Sequence, residues 1–317
     1  MSVKMGESLS IDMEKRYIIR DGELYGLDLS DLRITDLSLL HRYGGIRKLI
    51  LANCKRIESF REISSLKNLE YLDVSYTRIV DLDFLAENKN LRQLIAKGCI
   101  NIRDFHPIAK LRRLRVLILD KTMVSNLNFV SKLAMLERLS LWSCRMIKDF
   151  TPIGKLKRLT DLNLGSTYFC EAEVLKKLGR LKTLVLCNCV YFGDGRYLRG
   201  KKTLKTLHLD FTSIDDFDFI YTLNSLHTLS LQGCSVVDIS FLRGTKAMTS
   251  LDLGSTPIDD IDPLSELVNL KNLNLMNCRY ISNAEPLSGL QNLVILDIAG
   301  SNISDIKPLS RLKRLRV

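Results

Sequence analysis

The sequence predicts an α/β solenoid, a stack of about thirteen coils in which each coil contributes one short strand and one capped turn. Three observations carry this. A Leu-x-x-Leu-x-Leu pattern recurs from Leu24 onward at steps of 22 or 23 residues. A polar residue returns at a fixed place after each strand, often with proline three residues later. One copy cannot bury its own apolar face, so the pattern is stable only when neighbours stack on it.

The stretch from Leu136 to Arg158 shows the unit. Leu139 and Leu141 alternate with Ser140 and Trp142, as a strand requires. Cys144 and Ile147 turn inward, Asp149 opens a turn, and Phe150, Ile153 and Leu156 supply a second apolar side. Leu159 begins the next copy. The first positions of the coils are Leu24, Ile46, Leu69, Leu91, Leu114, Leu136, Leu159, Leu181, Leu204, Leu226, Met248, Leu270 and Leu293.

Two coil types alternate. One carries Thr at its ninth position (Thr77, Thr122, Thr167, Thr212, Thr256), with Leu32 and Ser301 in that place at the two ends. The other carries Cys (Cys54, Cys99, Cys144, Cys189, Cys234, Cys278), usually followed by one extra residue before the next apolar position. The larger repeat is therefore a pair of coils. Neighbouring strands lie ~4.8 Å apart, which places successive ladder cysteines about 10 Å apart. A disulfide needs Cα atoms within ~7 Å, so the ladder is expected to be reduced.

The polar position after each strand is filled by Asp36, Asp81, Asp104, Asp149, Asp194, Asp216, Asp238, Asp260 and Asp305, and elsewhere by Ser59, Asn126, Glu171 and Asn283. A short acceptor caps the free amides that open a turn, and proline at the first position needs no amide partner. Pro107, Pro152, Pro263, Pro286 and Pro308 fit that place. One residue type at one geometric position in coil after coil is a building rule rather than a catalytic set.

This pattern resembles the leucine-rich repeat family, over Leu24 to Leu312. The tail Ile258-Asp-Asp-Ile-Asp-Pro-Leu264 is similar to the short-repeat class of internalins and a phosphatase regulator. The Thr/Cys alternation is similar to leucine-rich repeat proteins of kinetoplastid parasites. The resemblance implies a curved right-handed solenoid with a parallel sheet on the concave face and short helices or turns on the convex face. It also implies recognition of a protein partner through the concave strands. Where the family has Asn, this chain has Thr or Cys, and both are expected to reach the backbone of an adjacent coil, the thiol as a weak donor.

Residues 1–23 fall outside the repeat. Tyr17 to Arg20 and Glu23 to Tyr25 flank Asp21-Gly22, a dipeptide suited to a two-residue turn, so this flank reads as a hairpin cap or a loose tail. The repeat domain then runs over 24–317, with its last coil incomplete. The final complete coil keeps Leu296, Ile298, Ile303, Ile306 and Leu309, and Leu312 and Leu315 enter another. Further residues, a partner or a second copy, joined end to end, are expected to cover that side.

Composition bounds the rest. The chain is 46% hydrophobic and 26% charged, normal for a folded protein. No apolar run approaches the ~18 residues of a membrane span, and Met1 to Ser10 lacks a secretory apolar core. Cytoplasm, or nucleus, is the expected location. The sequon Asn302-Ile-Ser304 carries no weight without other secretory signs.

No catalytic constellation, phosphate-binding loop or cofactor motif is legible, so an enzyme is not expected. The histidines, His41, His106, His208 and His227, show no zinc spacing. Cys187 and Cys189 fall on opposite sides of one strand, so their thiols diverge and no metal is assigned to them. His208 lies on the outward side.

Two surfaces remain as partner sites. On the outward strand face Ile50, Ile95, Ile118, Trp142 and Val185 form an apolar ridge, with Tyr76 and Phe211 just beyond. The competing reading is that β-branched residues there only stabilise the sheet. Net charge is +11, from 47 Lys and Arg against 36 Asp and Glu. Part of that excess gathers around residues 155–205, with Lys176, Lys177, Arg180, Lys201 and Lys202 on one edge, where RNA or an acidic partner would dock. Only Tyr197 is near for base stacking. A protein-binding scaffold using the concave ridge is the leading reading, and the basic edge is the alternative.

Overall fold

The computed structural model describes the backbone of residues 2–5, 9–12 and 16–316, with side chains from Arg16 to Arg316. The chain divides into two compact units, Met1–Leu159 and Thr160–Val317.

The first unit opens with an antiparallel pair, β1 (Ser2–Met5) and β2 (Leu9–Asp12). Then come β3 (Tyr17–Arg20), β4 (Glu23–Asp28), β5 (Lys48–Ile50), β6 (Tyr71–Asp73), β7 (Gln93–Ile95), β8 (Val116–Ile118) and β9 (Arg138–Ser140). β3 runs antiparallel to β4 across Asp21 and Gly22, whose φ values of 53° and 80° are those of a tight hairpin turn. From β4 to β9 each strand pairs in parallel with the next. The second unit holds β10 (Asp161–Asn163), β11 (Thr183–Val185), β12 (Thr206–His208), β13 (Thr228–Ser230), β14 (Ser250–Asp252), β15 (Asn272–Asn274) and β16 (Ile295–Asp297), again parallel neighbour to neighbour.

The leucine pattern dictates this register. In Leu-x-x-Leu-x-Leu the fourth and sixth residues point inward, and Leu117, Leu119, Leu139, Leu141, Leu184 and Leu186 are fully buried. A one-residue slip would turn them all to solvent. Parallel phenylalanine rings line the turn side, with Phe105 on Phe129 at 6.1 Å and Phe169 on Phe192 at 5.7 Å between centroids.

The segments opposite the strands are short 3₁₀ turns such as His106–Lys110, Thr151–Lys155 and Asp218–Thr222. Among the described residues only Glu173–Lys176 makes an α-helical turn. Five residues close one turn with i→i+3 bonds and have no room for an α-helical ladder. The capping rule holds in detail. Asp104 accepts from the His106 amide at 2.9 Å, Asp149 from Thr151 at 2.8 Å and Asp260 from Asp262 at 2.8 Å. Asn126 and Asn283 do the same for Asn128 and Glu285.

The Thr/Cys alternation has a specific geometry. In a Thr coil the sixth-position carbonyl accepts from its own coil's threonine and from the cysteine of the next coil. At Leu119 the Thr122 hydroxyl lies at 2.7 Å and the Cys144 thiol at 3.0 Å. At Leu164 the same donors, Thr167 and Cys189, lie at 2.6 and 3.1 Å. The thiol thus reaches the adjacent coil, as expected. The threonine does not reach that backbone: its hydroxyl donates to a carbonyl of its own coil and meets only the thiol of the next, 3.5 Å away at Thr122 and Cys144. All eight cysteines are free. Burial pushes the thiols of Cys54, Cys99, Cys144, Cys189 and Cys234 up, Cys54 to about 11, so these stay protonated donors.

Two outcomes follow from this packing. Under native conditions iodoacetamide should modify exposed Cys170 first, while Cys54, Cys99, Cys144, Cys189, Cys234 and Cys278 react only after unfolding, as peptide mass mapping will show. Asp149→Ala should cost about 0.5–1 kcal/mol of unfolding free energy in urea titration. Hydrogen bonds from the Thr151 hydroxyl and amide hold the Asp149 carboxyl below the usual carboxylate range. Its contribution is therefore complete above about pH 4 and lost as pH falls through the lower folded value. The wild type and Asp149→Ala should converge in strong acid.

Candidate functional site

The open strand face is built by alternation. In the first unit the mid-strand outward residues run Ile50, Asp73, Ile95, Ile118 and Ser140 in direct register. Ile95 and Ile118 are therefore side by side, whereas Asp73 separates Ile50 from Ile95. The expected ridge is interrupted there, and all three isoleucines are only half-exposed. Trp142 lies two residues past Ser140, also half-exposed, with the Lys121 ammonium 4.8 Å from its ring centroid. That cation–π contact fixes the indole against the surface. In the second unit Val185 lies between Asn163 and His208.

The eighth position of every coil has a left-handed backbone. Asp31, Asn53, Asn188 and Asn277 are types that tolerate it, but Tyr76 (φ 57°), Lys121 (φ 56°) and Phe211 (φ 55°) are not. Tyr76 and Phe211 are 46% and 45% exposed, and each lies over a glycine of the following coil, Gly98 or Gly233. A Cβ on Gly98 would meet the Tyr76 ring at 2.5 Å. Both glycines also have positive φ, 63° and 67°. Aromatic residues held in a strained conformation on an exposed edge mark a place where surface shape is set by something other than local preference.

Beyond that position lies an apolar edge that sequence reasoning missed. Val80, Ile100, Met123 and Met146 of the first unit are 47–61% exposed, as are Tyr168, Val190 and Tyr191 of the second at 50–63%. They sit in the loop between the Thr or Cys ladder and the capping residue. Only the inward member of each loop follows the core pattern, so periodicity gave no signal for its neighbours.

A second missed feature is polar. Asp120 accepts a hydrogen bond from the Ser140 hydroxyl and one from the Trp142 amide at 3.1 Å. Lys97 lies 3.8 Å from its other oxygen. Asp210 receives the same pair, from the Ser230 hydroxyl and from the Gln232 amide at 3.0 Å. Its second oxygen lies 2.7 Å from the Cys187 sulfur. Ligand atoms of Cys187, His208 and Asp210 all fall within 4.8 Å of one another. Asp210 is buried, and burial followed by its carboxylate pushes the Cys187 thiol up. Residues 21 and 23 apart along the chain meet here because the coil period is about that long, a spacing no local ligand motif describes.

The basic edge is thinner than the sequence suggests. Lys176, Lys177, Arg180 and Lys202 are exposed. Lys201 is buried, donates to the Leu178 carbonyl at 2.9 Å, and has its pKa lowered by desolvation. It anchors one coil to another and is withdrawn from any partner. Arg196 is paired with Asp194 at 2.9 Å. Lys176, Arg196, Tyr197 and Arg199 line an open hollow.

Two family models match parts of the chain, Zer-1-like leucine-rich repeats over residues 22–98 and a Leucine Rich Repeat over residues 180–195. Among solved structures, internalin InlF of Listeria monocytogenes superposes with a TM-score of 0.64 at 20% identity, covering 92% of this chain and 85% of that one. The chain has the leucine-rich repeat fold. Internalin InlJ of the same bacterium, described as including a cysteine ladder, gives a TM-score of 0.61 at 16% identity over 91% of this chain and 70% of its own. A plant peptide hormone receptor, RGFR1 in complex with RGF2, gives 0.59 at 18% identity over 92% and 54%. No curated protein matches. Among the described residues of this leucine-rich repeat fold no helix is long and apolar enough to cross a membrane.

The aromatic-on-glycine contact makes a sharp expectation. Gly98→Ala should lose about 1–2 kcal/mol through the positive φ and the collision with Tyr76. Gly44→Ala, with an ordinary φ of −57° and open space around its Cβ, should stay within about 0.5 kcal/mol of wild type. Denaturant titration of both decides it.

Proposed function

We propose that this chain is a non-enzymatic interaction scaffold that binds a protein partner on the open strand face and the apolar edge beside it. One observation carries this reading. In the first unit Ile95, Ile118 and Trp142 sit together at positions the coil leaves outside the core, with Tyr76, Ile100 and Met123 continuing the apolar surface at the strand ends. Large apolar and aromatic residues gathered on a rigid exposed face are what a protein interface uses as anchors. The RGFR1–RGF2 complex is a precedent for this fold engaging a peptide. The interior needs none of these side chains, since the inward Leu, Ile, Val, Phe and Cys residues complete it.

The alternative, an acidic partner or RNA on the basic edge, draws support from the hollow lined by Lys176, Arg196, Tyr197 and Arg199. It is weakened by the burial of Lys201 and the pairing of Arg196 with Asp194.

Affinity capture with paired variants separates the two. Ile118→Ser with Trp142→Ala should reduce recovery of the partner at least ~10-fold, as losing a central anchor does, with melting temperature nearly unchanged. Arg180→Glu with Lys202→Glu should leave recovery intact at physiological salt. The reverse pattern, or salt-sensitive retention on RNA that only the basic pair abolishes, would give the function to the edge.

A further inference from the structure

The second unit repeats a constellation of the first, with two changes of residue. Around Asp120 stand Lys97, Ile118 and Ser140; around Asp210, each 90 residues further along, stand Cys187, His208 and Ser230 (97 to 187, 118 to 208, 120 to 210, 140 to 230). Both aspartates accept the same serine hydroxyl and the same backbone amide through Oδ1. In the first copy Oδ2 has an ammonium 3.8 Å away, from Lys97. In the second no lysine is present, and Oδ2 faces a thiol and an imidazole.

We propose that Cys187, His208 and Asp210 bind a divalent transition-metal ion of the zinc class, which takes the place that the Lys97 ammonium has beside Asp120. The donor set selects the metal. Sulfur, imidazole nitrogen and one carboxylate oxygen suit zinc, whereas calcium and magnesium take oxygen ligands. With Zn–S about 2.3 Å and Zn–N and Zn–O about 2.0–2.2 Å, tetrahedral ligand atoms stand ~3.2–3.8 Å apart. The distances here bracket that range, from 2.7 Å for Cys187 to Asp210 up to the 4.8 Å limit for the group. Small side-chain rotations bring them to it.

Support for the ligands is already built. The Ser230 hydroxyl and Gln232 amide fix one carboxylate oxygen and leave the other for the metal. Among the described residues no side-chain hydrogen bond holds the His208 ring. Val185 and His208 are register partners on β11 and β12, so the site opens on the outward strand face. Three protein ligands leave a fourth position for water or for a side chain brought by a partner. On binding, the Cys187 S–H proton passes to buffer and the thiolate bonds the metal. That removes the contact between a protonated thiol and the buried carboxylate.

Cobalt(II) reports such a site directly, because a thiolate ligand produces a near-ultraviolet charge-transfer band and tetrahedral geometry strengthens the visible bands. The full chain, stripped with chelator, should bind one equivalent of Co²⁺ with both signatures, and Zn²⁺ should displace it. Cys187→Ser should abolish the charge-transfer band. His208→Gln should weaken Zn²⁺ binding in a chelator-dye competition by more than ~10-fold, at or beyond what losing a supporting residue costs. Cys170→Ser should change nothing, and circular dichroism should show each variant folded. No charge-transfer band in the wild type, its survival in Cys187→Ser, or an unchanged affinity in His208→Gln would overturn the site.

Discussion

One backbone carbonyl with two side-chain donors from two coils is the contact on which the rest of this structure depends. At Leu119 the acceptor takes the Thr122 hydroxyl from its own coil and the Cys144 thiol from the next. Val74, Leu164, Leu209 and Leu253 repeat the arrangement. A buried carbonyl with no donor would carry a desolvation penalty of about 1–3 kcal/mol. Here the turn that follows the strand of each Thr coil is tied down by threonine, and the next coil is tied to it by cysteine. The consequence is a pair of coils as the structural unit. It also keeps the ladder thiols on alternate coils, each bonded to a carbonyl rather than to another sulfur.

Holding the inner side by contacts that do not vary leaves the outer side free to vary. The fifth, seventh and eighth positions carry Ile, Asp, Trp, His, Cys or Tyr with no change in the core behind them. Two of these variations use strained or charged arrangements that the interior does not need. Tyr76 and Phe211 adopt a left-handed backbone over a glycine of the next coil. Asp120 and Asp210 are fixed by equivalent serine and amide contacts yet face different groups, the Lys97 ammonium in one copy and Cys187 with His208 in the other. Rigid spacing of ~4.8 Å between strands lets such residues act together although they are more than twenty apart in the chain.

The core was legible from the sequence because a two-residue strand alternation and a 22- or 23-residue period each leave a plain mark. Leu139, Leu141, Cys144 and Ile147 are all buried, and Asp149 caps the turn it precedes. Threonine was half legible: its inward place could be read, but a side chain that bonds i−3 in its own coil looks in sequence like one that reaches sideways. The surface was less legible for three physical reasons. Burial of Lys201 depends on a carbonyl one coil away, at Leu178. The left-handed eighth position is imposed by the coil and overrides the preference of Tyr76. The Cys187, His208 and Asp210 cluster is created by stacking, which no window shorter than a coil displays.

The claim that coils are paired by the shared carbonyl is tested most directly by a double-mutant cycle on unfolding free energy. Thr122 touches Cys144 through the Leu119 carbonyl, with 3.5 Å between oxygen and sulfur, but shares no acceptor with Cys99, which bonds the Val74 carbonyl on the other side. Combining Thr122→Val with Cys144→Ala should give a coupling energy above about 0.5 kcal/mol, and combining it with Cys99→Ala should be additive within about 0.3 kcal/mol. Equal coupling to both cysteines, or none to Cys144, would contradict the paired coil.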